Sequence, residues 1–103
     1  MHTTVVNIRN SDHDVYIGRP RNGQPWNFGN PFRVGRDGQR DQCVHRFRVW
    51  LETGMNFGCP DATDARRAWM LDNLSTLKGK RLGCFCSPSR CHGDVLAALA
   101  NEL

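Results

Sequence analysis

Glutamate is almost missing from this chain. Only Glu52 and Glu102 occur among its 103 residues, and both read as peripheral, so chemistry built on a glutamate pair is not expected. Lysine is as scarce: twelve of the fourteen basic residues are arginine. No apolar run approaches the roughly 20 residues needed to cross a bilayer. The start, "MHTTVVNIRN", lacks the basic opening and apolar stretch of a secretory signal. No internal repeat or low-complexity segment is present. These absences point to a cytosolic protein, and the length of 103 residues to a single domain over residues 1–103. Five cysteines, an odd number in a reducing compartment, argue against a disulfide framework and favour metal binding, catalysis or packing.

The charge that is present is one-sided. Residues 1–48 hold eight arginines and four aspartates, whereas residues 49–103 hold six basic and six acidic groups, so the net +4 lies in the first half. Arginine's planar fork suits phosphate and carboxylate. The alternatives are a solvated basic surface and a compositional preference for arginine.

"TVVNIR" (4–9) and "VYIG" (15–18) read as strands joined by a turn-rich "NSDHD". A hairpin is the simpler connection, and a tight parallel return is the other route. Residues 40–54 carry Cys43, Val44, Phe47, Trp50 and Leu51 at helical spacing, with Gly54 as a stop. Residues 61–79 form a second helix, capped by Asp61 or Thr63, with Ala68, Leu71, Leu74 and Leu77 inward. "KRLGCFC" (80–86) is a third strand. Residues 91–103 form a last helix with Val95, Leu96 and Leu99 inward. The expected fold is a small sheet of about three strands with three helices, ending in a Rossmann-like β-loop-α unit. Ligands of such sheets bind beyond the carboxyl ends of the strands.

Residues 19–39 show no sustained period, yet Trp26, Phe28 and Phe32 give them something to bury. An ordered, partly packed loop carrying Arg19, Arg21, Arg33 and Arg36 follows, since long structureless loops in small domains are usually functional or disordered. Trp26 reads as packing more readily than as a stacking platform. Trp50 and Trp69 read as core, and His2, His13 and His45 have no convincing partners.

"GCFCSPSRCHGDVL" concentrates the remaining chemistry. Cys84 and Cys86 share one face of a strand, and Cys91 and His92 follow a short turn. Together they offer three sulfurs and one nitrogen, a set that zinc accepts, although the spacing is not the usual two-residue knuckle. A second reading is a reactive thiol. Cys91 would stand at a helix N-terminus that lowers its pKa, with His92 and Asp94 as catalytic companions. The third is ordinary packing, with the amides around Arg90 and Gly93 still forming an anion site at the helix start.

Taken together, "VVNIR", "DVYIGRP", "FGNPF" and "LKGKRLGCFCSPSRCHGDVLAAL" resemble a family of small, functionally uncharacterised domains found largely in bacteriophages and bacteria. The resemblance covers nearly the whole chain apart from roughly residues 54–63. It implies a phage or prophage setting, hence a host cytosol, a compact α/β fold, and a site where these motifs meet.

The sequence therefore suggests a binder of a small phosphate-bearing ligand, a nucleotide or its derivative. Arg19, Arg90 and Gly93 would hold the anion, Asn30 and Phe32 would shape the pocket, and Trp26 would offer a stacking face. One rival is a zinc-stabilised module for nucleic acid or a host protein, with Cys84, Cys86, Cys91 and His92 as ligands. Another is a small nucleotide- or base-modifying enzyme using Cys91 and His92.

Overall fold

A computed structural model describes residues 2–18, 27–85 and 89–103. In chain order the elements are β1 (Thr4–Asn7), β2 (Val15–Tyr16), α1 (Arg40–Thr53), α2 (Asp64–Asn73) running into a 3-10 turn (Leu74–Leu77), β3 (Arg81–Cys84) and α3 (His92–Asn101). The three strands form one sheet in the order β1-β3-β2. Val5 pairs with Leu82 on one side of β3 and Val15 pairs with Leu82 on the other, both in parallel.

The hairpin expectation is thus corrected. β1 and β2 never pair, because β3 lies between them and the chain takes the parallel return. Ile8 N–H reaches the carbonyl of Cys84 at the far end of β3, and Asp14 N–H reaches that of Arg81 at its beginning. The short segment between them crosses the face of β3 at Gly83. A Cβ on Gly83 would lie 2.6 Å from both Ile8 Cγ2 and His13 Cγ. Bare backbone at this point lets a return far shorter than a helical crossover lie flat on the sheet. Asp14 and Arg81 fasten its end with an ion pair of 3.1 Å.

The opposite face of the sheet is apolar and packs on the helices. Ile17, Leu82 and Cys84 meet Phe47 and Trp50 of α1 and Val95, Leu96 and Ala100 of α3 in one buried cluster. The α1 stripe is buried as expected, and Gly54 ends the helix in a left-handed turn with φ 85°. Thr63 caps α2 by accepting the Arg66 N–H. The expected inner face of this second helix needs correction. Ala68 and Leu71 are exposed, while Met70, Leu74 and Leu77 are buried. Met70, Leu74 and Leu77 recur at four- and three-residue spacing, so the buried stripe runs through Met70 and leaves Ala68 and Leu71 beside it.

Segment 27–39 is ordered by its own polar side chains. Asn27 bonds the Gly18 carbonyl through Nδ2 and accepts the Gly29 N–H through Oδ1. Phe28 packs on Trp69, and Phe32 stands edge-on to Trp50. Arg36 ties the segment to Asp37 and Asp61. Arg19, Arg21 and Trp26 lie outside the described residues.

Candidate functional site

The parallel sheet sends the carboxyl ends of β2 and β3 to the same edge, and there the two motif loops meet. A cavity of about 310 Å³ opens at this edge. Tyr16 and Gly18 come to it from the end of β2, Cys84 and Phe85 from the end of β3, and Arg90, Cys91 and His92 from the start of α3. Asn30, Phe32 and Val34 form the wall on the loop side, and Arg40, Cys43 and Val44 the wall on the α1 side. Of the expected site residues, Asn30, Phe32, Arg90, Cys84, Cys91 and His92 are therefore brought together. Arg19, Trp26 and Cys86 lie outside the described residues.

His92 joins the loops. Its ring nitrogen Nε2 lies 2.8 Å from the Ile17 carbonyl and 3.0 Å from the Phe28 carbonyl. Carbonyls only accept, so Nε2 carries the proton and donates to both. The ring is buried edge-on to Phe47, with centroids 5.2 Å apart. Burial pushes its pKa below the usual histidine value, against the two carbonyl bonds that favour the charged form. The uncharged imidazole is thus a tether between the end of β2, the loop and α3.

Cys91 is the N-cap of α3. Its Sγ accepts the Gly93 N–H at 3.2 Å, and its own N–H donates to Asp94 Oδ2 at 3.1 Å, which completes a capping box. The Asp94 N–H is taken by the Cys91 carbonyl. The amides of Cys91, Gly93 and Asp94, part of the expected anion cradle, are thus bonded within the helix start. Gly93 has a packing role as well: a Cβ there would lie 2.6 Å from Ile17 Cδ1. Cys91 Sγ also lies 3.4 Å from Cys84 Sγ. That neighbouring sulfur, and then burial, push the Cys91 thiol up, with the Gly93 N–H opposing. The lowering expected from the helix N-terminus is overturned, since two buried sulfurs in contact disfavour charge more than one helix end favours it.

For a metal, Cys84 and Cys91 stand together and His92 Nε2 is held by the two carbonyls. Among the described residues no three His, Cys, Asp or Glu side chains form a metal-binding group.

Among the described residues, charge at the cavity comes from Arg40 and Arg90, both exposed. Among the described residues no carboxylate lines the cavity, and none pairs with either guanidinium. Asn30 is a wall with a structural duty, since its Oδ1 accepts the Phe32 N–H and its Nδ2 reaches the Cys43 carbonyl at 3.4 Å. Sequence reasoning missed Arg40, Cys43 and Val44. The signal available for Arg40 was its place at the first turn of a helix directly after the motif-bearing loop.

Among the described residues no helix is long and apolar enough to cross a membrane. No solved structure matches the chain. It is 38% identical over 100 residues to an "Uncharacterized 12.4 kDa protein in nrdA-td intergenic region" of Enterobacteria phage T4, an alignment covering 96% of this chain and 78% of that protein. Residues 3–102 match the family described as a domain of unknown function, DUF4326. The chain belongs to this phage-associated family.

Proposed function

We propose that this domain binds a small phosphate-bearing ligand, a nucleotide or a nucleotide derivative, in the cavity between the GNPF loop and the start of α3. One observation carries the reading. Arg40 and Arg90 flank a cavity without a carboxylate among its described lining residues, at the carboxyl edge of a parallel sheet. Guanidinium groups offer phosphate a bidentate fork, and such edges are where open α/β sheets take ligands. Tyr16 and Phe85 add aromatic surface of the kind a base stacks on. A volume of about 310 Å³ is at the small end of ligand sites, which favours a mononucleotide over a dinucleotide. The phage T4 relative supports a setting in the cytosol of an infected bacterium.

Calorimetric titration with nucleoside mono-, di- and triphosphates and with inorganic phosphate tests this. Binding tighter than about 1 mM is expected for at least one nucleotide, and its absence across the series rejects the reading. Turnover of the bound nucleotide, lost in Cys91→Ser with the fold intact, would make the protein an enzyme. Stoichiometric zinc by elemental analysis, with nucleic-acid binding that falls steeply with salt, would favour the metal-stabilised module.

A further inference from the structure

We infer that Cys84 and Cys91 are a redox pair that closes into an intramolecular disulfide by exchange with a low-molecular-weight disulfide. Their sulfurs lie 3.4 Å apart, and neither is engaged in a disulfide. Bond formation needs an S–S distance of about 2.05 Å, so the two atoms must approach by only about 1.4 Å. The ends that carry them are well placed for this. Cys84 is the last residue of β3 and Cys91 the N-cap of α3, and both line the cavity that opens at the sheet edge. Both sulfurs are buried beneath the cavity wall, so a small disulfide reaches them from the cavity side only as that wall opens. Cys43 and Cys59 are buried separately. Cys43 Sγ donates to the Gly38 carbonyl and Cys59 Sγ to that of Pro31.

The exchange balances without any bound cofactor. Cys91, the sulfur that receives the Gly93 N–H, loses its proton and attacks one sulfur of the disulfide RS–SR, which releases RS⁻ and leaves Cys91–S–S–R. Cys84 then loses its proton and attacks Cys91 Sγ, which releases the second RS⁻. The two protons convert the released thiolates to thiols. The protein dithiol is oxidised by two electrons and the small disulfide is reduced to two thiols. Because the neighbouring sulfur and burial hold the Cys91 proton on, exchange is slow near neutral pH and accelerates as pH rises.

The test uses the full chain with Cys86→Ser, incubated with oxidised glutathione, alkylated and digested with trypsin. The expected result is an intact mass lower by about 2 Da and a dithiothreitol-sensitive link between the peptides 82–90 and 91–103. That link should vanish when Cys84→Ser or Cys91→Ser is added. Thiols that stay free, or that carry only glutathione adducts, overturn the inference, as does a link from Cys91 to Cys43 or Cys59. If the added serine variants fail to fold, the peptide map of the Cys86→Ser protein alone decides. None of these outcomes depends on nucleotide binding, so the phosphate reading can fail without touching this one.

Discussion

His92 is bonded to Ile17 across 75 residues of chain, with its Nε2 2.8 Å from the Ile17 carbonyl. The ring also reaches the Phe28 carbonyl at 3.0 Å, so one side chain satisfies two backbone acceptors at the cavity edge. His92→Leu orphans both and is expected to cost about 1–3 kcal/mol, read as a lower urea midpoint. The ring's folded pKa lies below its ordinary 6.5, so in this range the unfolded chain binds more protons than the folded one. Stability is then full above the unfolded value and falls as pH drops below it. Urea midpoints of the wild type should decline from about pH 6.5 to pH 5, and His92→Gln should flatten that limb. An equal slope in both proteins would contradict the assignment.

Arg40 and Arg90 should act on binding alone. Each is exposed and pairs with no carboxylate among the described residues. Arg40→Ala and Arg90→Ala are expected to weaken nucleotide binding about tenfold or more each, and to change unfolding free energy by less than about 0.5 kcal/mol. Titration calorimetry beside urea denaturation reads both quantities. Unchanged affinity in the double variant would remove the guanidiniums from the site.

Asp94 is expected to behave as a cap. Its Oδ2 accepts the Cys91 N–H at 3.1 Å, and Asp94→Ala should cost about 0.5–2 kcal/mol with ligand affinity preserved. A folded Asp94→Ala protein that loses binding or turnover would instead put this carboxylate at the chemistry.

Gly83 makes the return between β1 and β2 possible. Gly83→Ala forces a Cβ to within 2.6 Å of Ile8 Cγ2 and His13 Cγ, at an expected cost of about 1–3 kcal/mol. Adding Ile8→Ala and His13→Ala should recover much of that loss. A double-mutant cycle on thermal or urea unfolding measures the coupling, and strictly additive effects would mean that the close approach is unimportant.

How far the fold could be read from the residues depended on periodicity. Cys43, Val44, Phe47, Trp50 and Leu51 recur at helical spacing, and all five are buried in α1. β2 is only two residues long, too short to show a period or a direction, so nothing local chose the parallel return over the hairpin. The order β1-β3-β2 rests on a contact between Gly83 and residues some 70 positions away, and no local pattern encodes it. The inner face of α2 was misread because Ala68 and Leu71 lead to Leu74 in steps of three, whereas the buried stripe reaches Leu74 from Met70 in a step of four. At the cavity, Asn30, Phe32 and Cys91 were legible as motif residues, and Arg90 from its place beside Cys91. Arg40 resembles any solvated arginine on an amphipathic helix until the loop wall is placed opposite it.

Thr3 and Asn101 exchange a pair of hydrogen bonds, Thr3 N–H to Asn101 Oδ1 at 2.8 Å and Asn101 Nδ2 to the Thr3 carbonyl at 3.1 Å. A fold whose first and last elements clasp in this way can be grafted between two neighbouring positions on the exterior of another protein, or closed into a ring by a short linker, with little stretching of the backbone. Circular permutation becomes a practical tool here, with the exposed tip at Asn56–Gly58 as a place to open new ends.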